Sequence, residues 1–139
     1  MNLVPMNPLV RKKLSILVRL ADIDGDFAKI EKSFIEDIAI KNGVKENELH
    51  QLITNPEPIG SLGALSYDKS VEYLCDSLSL IAVDNKILPS EVILCEDIGL
   101  RLGFPKKGID SIIERLKLNP ALPTKKVEEE VRRLPHHAK

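Results

Sequence analysis

An internal repeat of 60 residues is the feature of this sequence that most restricts its fold. When the chain is shifted by 60 residues, segment 14–53 aligns with segment 74–113 without a gap, and 9 of 40 positions are identical. The matches include Asp24 with Asp84 and Gly43 with Gly103, and the apolar positions keep their phase. A repeat of this length predicts two copies of one supersecondary unit.

Helical periodicity runs through both copies. In the first, Leu14, Leu17, Val18 and Ala21 lie at i, i+3, i+4 and i+7, which is one face of a helix. No segment alternates with a period of two for long enough to predict a strand. The sequence therefore predicts an all-α fold of two tandem, related helical hairpin units that form a single domain over residues 1–139. The predicted parts are repeat one at about 9–53, a linker at 54–66, repeat two at about 67–116 and a short C-terminal helix at about 124–134.

Turn and cap residues support these boundaries. Gly43 and Gly103 follow the second helix of each copy, where a left-handed C-cap favours glycine. Ser66 suits the N-cap of the helix that begins near Tyr67. Gly25 and its counterpart Asn85 belong to the two residue types that most readily adopt positive φ, so both loops are expected to turn there.

The two units are expected to be related by an approximate two-fold axis and to share one core. Eight residues on the predicted apolar faces should be mostly buried there: Leu17, Ala21, Phe34, Ile38, Leu78, Ile81, Cys95 and Ile98. His136 and His137 lie in a polar tail that is expected to fray rather than to bind a metal.

Composition excludes several classes of protein. The 139 residues carry a net charge of −1 and are 43% hydrophobic, which is ordinary for a globular chain and gives no basic field for nucleic acid. No run of about 20 apolar residues predicts a transmembrane segment. Cys75 and Cys95 are too few for a disulfide framework and are predicted to be buried thiols. Without an export signal, the expected location is the cytoplasm.

The loop between the first two helices carries a cluster of carboxylates that suits a hard cation such as Ca²⁺ or Mg²⁺. An EF-hand is excluded, because the sixth and twelfth loop positions are Phe27 and Ser33 instead of Gly and Glu. The alternative is that the Asp side chains only accept hydrogen bonds from backbone N–H groups of the turn. The candidate metal ligands from both loops are Asp22, Asp24, Asp26, Glu31, Asp84 and Glu91.

The first loop also carries a family resemblance. The pattern Ala21-Asp22-x-Asp24-Gly25-x-Phe27-x-x-x-Glu31, with Gly43-Val44 twelve residues on, resembles the TerB-like family of bacterial tellurite-resistance and stress proteins. It is also similar to the N-terminal segment of DjlA-type membrane co-chaperones. The resemblance implies an all-α fold of two related hairpins, acidic positions associated with metal binding, membrane-linked stress complexes and no established catalytic activity.

The second loop departs from the acidic pattern of the family. Ala82 and Lys86 replace the counterparts of Asp22 and Asp26. The second loop is therefore expected to bind no cation unless it contributes Asp84 or Glu91 across the two-fold axis.

Three functions follow from these observations. The resemblance favours a non-enzymatic binding or scaffold module that acts through protein partners, in a cytoplasmic assembly or at the periphery of the inner membrane. The alternative is a sensor of divalent cations that uses the Asp22–Asp26 loop. A helix-turn-helix DNA-binding protein or an enzyme comes third, because Glu46 and Glu48 would repel phosphate and no catalytic spacing is present.

Overall fold

The computed structural model describes residues 6–23, 25 and 27–137, and these contain seven α-helices and no strand. The all-α prediction is therefore confirmed. The helices are α1 Pro8–Asp22, α2 Lys29–Lys41, α3 Glu46–Thr54, α4 Tyr67–Ala82, α5 Pro89–Arg101, α6 Lys106–Leu118 and α7 Thr124–Arg132. None of these helices is long and apolar enough to cross a membrane.

Local chemistry sets the helix ends much as the sequence predicts. The Ser66 hydroxyl accepts a hydrogen bond from the Lys69 N–H at 3.2 Å, which caps α4. Gly43 and Gly103 adopt φ of 73° and 100° just after α2 and α5. These left-handed residues let the next N–H turn back onto the helix, as when Val44 donates to the Ala39 carbonyl at 2.9 Å.

The core is one continuous cluster of apolar side chains centred on α4, which contacts α1, α2, α5, α6 and α7. Of the eight residues predicted to be mostly buried, six are fully buried. Phe34 and Ile38 are partly buried and pack against this core. The reason is the rotation of α2, which turns Glu31, Ile35 and Ala39 inward and leaves Phe34 and Ile38 on its flank.

The C-terminal tail departs from the prediction as well. Helix α7 ends at Arg132, and the next residues fold back over the corner between α5 and α6. The His136 ring packs against Phe104, with ring centroids 4.8 Å apart, and its Nε2 lies 2.9 Å from the Leu102 carbonyl oxygen. The His137 N–H donates to the Gly103 carbonyl at 2.9 Å. These contacts hold the described part of the tail in place, so the expectation of a frayed terminus is wrong there.

Candidate functional site

The candidate site lies where the loop after α1 and the loop after α4 enter the next helices. Both loops turn through a left-handed residue, with φ of 78° at Gly25 and 62° at Asn85, as the sequence predicts. The Gly25 N–H donates to the Asp22 carbonyl at 2.9 Å, and the Asn85 N–H donates to the Ala82 carbonyl at 3.1 Å. These two turns bring a glutamate into the first turn of each following helix.

Glu31 and Glu91 occupy the same position in α2 and α5 and make the same backbone contact. Glu31 Oε1 accepts from the Ala28 N–H at 3.2 Å, and Glu91 Oε1 accepts from the Leu88 N–H at 2.9 Å. Each carboxyl group therefore satisfies an otherwise free donor at a helix N-terminus, where the helix dipole favours negative charge. Both residues are only 3% exposed, which is unusual for glutamate.

The two buried carboxyl groups are in direct contact, although they are 60 residues apart in the chain. Burial raises the pKa of Glu31 to about 8, and the hydrogen bond and negative charge of Glu91 act in the same direction. Asp84 adds a smaller contribution of the same sign, and the Ala28 N–H opposes the shift. A pKa of about 8 for Glu31 favours one proton shared by the pair at neutral pH when no cation is bound.

The six candidate ligands have different surroundings. Asp22 is exposed at the end of α1, and Asp24 and Asp26 lie outside the described residues. Asp84 is half-buried, and its Oδ1 accepts from the Lys86 N–H at 3.0 Å, which is the turn-stabilising role named above as the alternative. The structure thus brings together Glu31 and Glu91, with Asp84 near enough to influence the Glu31 charge. Within the described ranges, no three His, Cys, Asp or Glu side chains are grouped as a metal site.

Both cysteines are buried thiols, as the sequence predicts. Burial raises the pKa of Cys75 and of Cys95 to about 12. Because only the thiolate is a strong nucleophile or metal ligand, neither side chain is set up for such chemistry at neutral pH.

The contact between Glu31 and Glu91 is the feature that sequence reasoning did not predict. The sequence predicts each glutamate as a candidate ligand of its own loop, and it predicts a contribution of Glu91 to a shared site only across the two-fold axis. The available signal was that both fall at the same offset of a 60-residue repeat, in the first turn of a helix.

Comparison with known proteins does not assign this chain to a family. No protein-family model matches the chain, and no curated protein or solved structure shows significant similarity to it.

Proposed function

We propose that this protein is a non-enzymatic binding module that responds to a divalent cation, bound where its two loops meet. The observation that supports this proposal is the buried contact between Glu31 and Glu91. Two carboxylates in contact repel one another, so a site of this kind is satisfied by a proton or by a cation. Ca²⁺ and Mg²⁺ prefer carboxylate and carbonyl oxygen ligands.

The two-unit organisation is part of the same proposal. Helices α2 and α5 begin and end 60 residues apart, and α3 and α6 begin 60 residues apart. The left-handed residues and the N-terminal glutamates follow the same spacing. We infer two related hairpin units that face each other, so that the equivalent glutamates meet where the units join. In this arrangement one cation would use ligands from both units, with Asp84 nearby.

The cation would connect the loops to the helices. Glu31 and Glu91 cap α2 and α5, so an ion bound to both would tie the starts of these helices together. In this proposal Asp22, at the end of α1, adds an oxygen ligand or attracts the ion. Binding would displace the shared proton, and cation affinity should therefore increase as the pH rises toward 8.

Calorimetry with Ca²⁺ and Mg²⁺ tests this proposal. We expect one weak site, release of about one proton at pH 7, and tighter binding at pH 8 than at pH 6. Proton release is measured by repeating the titration in two buffers that differ in ionisation enthalpy. Glu31→Gln and Glu91→Gln should each weaken binding by about 10-fold or more, since each removes a charged ligand.

Asp37→Asn is the matched control, because Asp37 is an exposed carboxylate on the same helix as Glu31. It should leave cation binding unchanged. A titration without heat at any pH, confirmed by a thermal midpoint that does not move with added cation, would reject the cation role. Binding that survives both Glu→Gln changes would place the ion elsewhere.

The partner-binding part of the proposal rests on the surface and on the resemblance to TerB-like stress proteins. Ile40 is 73% exposed, Ile93 is 66% exposed and Leu118 is 89% exposed, and side chains of this type can contribute to a protein interface. We propose that the chain acts in a stress-linked assembly in the cytoplasm or at the periphery of the inner membrane, where it is held by its partners.

A further inference from the structure

A second feature of the surface is a groove between α2 and α3, with a cavity of about 560 Å³. Leu49 and Ile53 form its apolar part, and Glu36, Glu46 and His50 line it with polar groups. Leu49 is buried and Ile53 half-buried, whereas Glu46 and His50 are exposed. The groove is thus an apolar trough with carboxylates at its edge.

The equivalent surface of α5 and α6 shows which residue type such carboxylates hold. There the Lys106 ammonium lies 3.5 Å from Glu96 Oε2 and 3.1 Å from Asp110 Oδ2. Lys106 stands at the first position of α6, where the helix dipole disfavours a cation, so the two carboxylates are what stabilise it there. The α5–α6 surface therefore carries its own lysine.

The 60-residue correspondence relates these side chains one by one. Glu36 corresponds to Glu96, and His50 corresponds to Asp110. The lysine is replaced, because Glu46 stands at the position of Lys106. Neither Glu36 nor Glu46 forms an ion pair with any described residue, and no metal-ligand group was found in the same ranges. The α2–α3 groove therefore keeps the carboxylate and lacks a lysine at the position of Lys106.

We infer that the α2–α3 groove is a docking site for a basic segment of a partner protein, which places a lysine or arginine side chain between Glu36 and Glu46. An apolar residue of the same segment packs on Leu49 and Ile53. This inference rests on the proposed partner-binding role and the two-unit organisation, and it is independent of the cation site. The charge of α3 that disfavours DNA is the charge that favours a basic peptide.

Lys32 modifies the electrostatics of the groove. It lines the end nearer the start of α2 and reduces the net negative charge of the lining from −2 to −1, counting Glu36, Glu46 and Lys32 with neutral histidine. The corresponding residue of α5 is Val92. Because Lys32 competes with an incoming cation, Lys32→Gln should strengthen binding of a basic peptide by about 2-fold to 5-fold.

The test is direct binding of a fluorescein-labelled peptide of alternating lysine and leucine to the full chain, measured by anisotropy at low salt. A peptide with glutamate in place of lysine is the comparison. We expect the lysine peptide to bind, with an affinity that falls as salt is added. Glu46→Lys introduces the residue type found at the equivalent position of α6 and should weaken binding by about 10-fold or more, and Glu46→Gln should weaken it less.

Glu129→Lys is the matched control, because it changes the net charge equally on α7, which contacts neither α2 nor α3 in the described structure. It should change affinity by less than about 2-fold. Equal losses in Glu46→Lys and Glu129→Lys would overturn the inference, since they would show attraction to overall charge only. Tighter binding of the glutamate peptide than of the lysine peptide would also overturn the inference. The proposed partner-binding role would then still stand.

A second copy of this chain is the alternative occupant of the groove. Sedimentation of the parent chain should show no concentration-dependent dimer that Glu46→Lys dissociates. If such a dimer is found, the groove belongs to a second copy of the chain and the inference is wrong. If the calorimetry described above shows no cation binding, the cation role is rejected. The results expected from the peptide and sedimentation experiments stay the same.

Discussion

Glu31→Gln should stabilise the protein at pH 7 by about 2–4 kcal/mol and remove much of its sensitivity to alkaline pH. The ordinary pKa of a glutamate is 4.5 and that of Glu31 in the fold is about 8, because its carboxyl group is buried against Glu91. Between these values the folded state keeps a proton that the unfolded state has lost. The glutamine keeps the shape and the hydrogen bonds of the protonated acid without needing that proton.

The sign of the pH dependence follows from the raised pKa. The contribution of Glu31 is fully present below pH 4.5 and is lost as the pH rises through about 8. Over that window the free energy of unfolding of the parent should fall by up to about 1.4 kcal/mol per pH unit from this group. In Glu31→Gln this slope should disappear, and the two proteins should have equal stability near pH 4.

Urea unfolding at pH 4, 6 and 8 measures the effect, with a chelator present so that no cation replaces the proton. Asp37→Asn serves again as control and should follow the parent at every pH, because its carboxylate is exposed. If the free energies of unfolding of Glu31→Gln and the parent differ by the same amount at all three pH values, the shared proton is contradicted. Added Mg²⁺ or Ca²⁺ should stabilise the parent at pH 8 more than the variant, if the proposed cation site is correct.

Lys13→Ala should destabilise the protein by about 3–5 kcal/mol, which lowers the thermal midpoint by roughly 10–15 °C. The Lys13 side chain is 9% exposed, and its Nζ lies 2.5 Å from Glu72 Oε2 and 2.8 Å from Asp76 Oδ2. Burial opposes the charge on Lys13, but the hydrogen bonds that it donates to Asp76 and Glu72 outweigh this effect and raise the pKa of the ammonium. The same ammonium lies 6.0 Å from the centre of the Tyr73 ring.

The cost arises mainly from the carboxylates that the substitution leaves behind. Asp76 is largely buried, with 17% of its side chain exposed, and burial raises its pKa despite the nearby lysine. Removing the lysine leaves this charge without its partner between α1 and α4. Lys13→Met should cost nearly as much, although it fills the space, and adding Asp76→Asn should recover part of the loss.

Lys69→Ala is the matched control for this prediction. Lys69 pairs with Glu72 at 3.3 Å, but its side chain is 40% exposed. Its removal should cost less than about 1 kcal/mol, because solvent screens exposed pairs. Thermal and urea unfolding of the variants compares them directly. If Lys13→Ala costs no more than Lys69→Ala, the buried ammonium does not hold α1 against α4.

The elements that the sequence determined are those that depend on near neighbours in the chain. The spacing of Leu14, Leu17, Val18 and Ala21 predicts a helix because residues three and four apart share a face. Glycine at position 103 predicts a turn because glycine, which has no Cβ, enters the left-handed region without strain. The Ser66 cap follows from a hydroxyl that reaches an N–H three residues later. Each of these features is set within about one helical turn.

The tertiary structure alone decided which distant groups meet. The contact of Glu31 with Glu91, the burial of Lys13 against Asp76 and the packing of His136 on Phe104 depend on how helices are rotated and placed against one another. The half-buried state of Phe34 has the same origin, since a small rotation of α2 selects Ile35 for the core instead. Local backbone preferences fix a helix and its ends, but its rotation is chosen by the packing of all side chains in the core. The residue pattern of one segment does not determine this rotation.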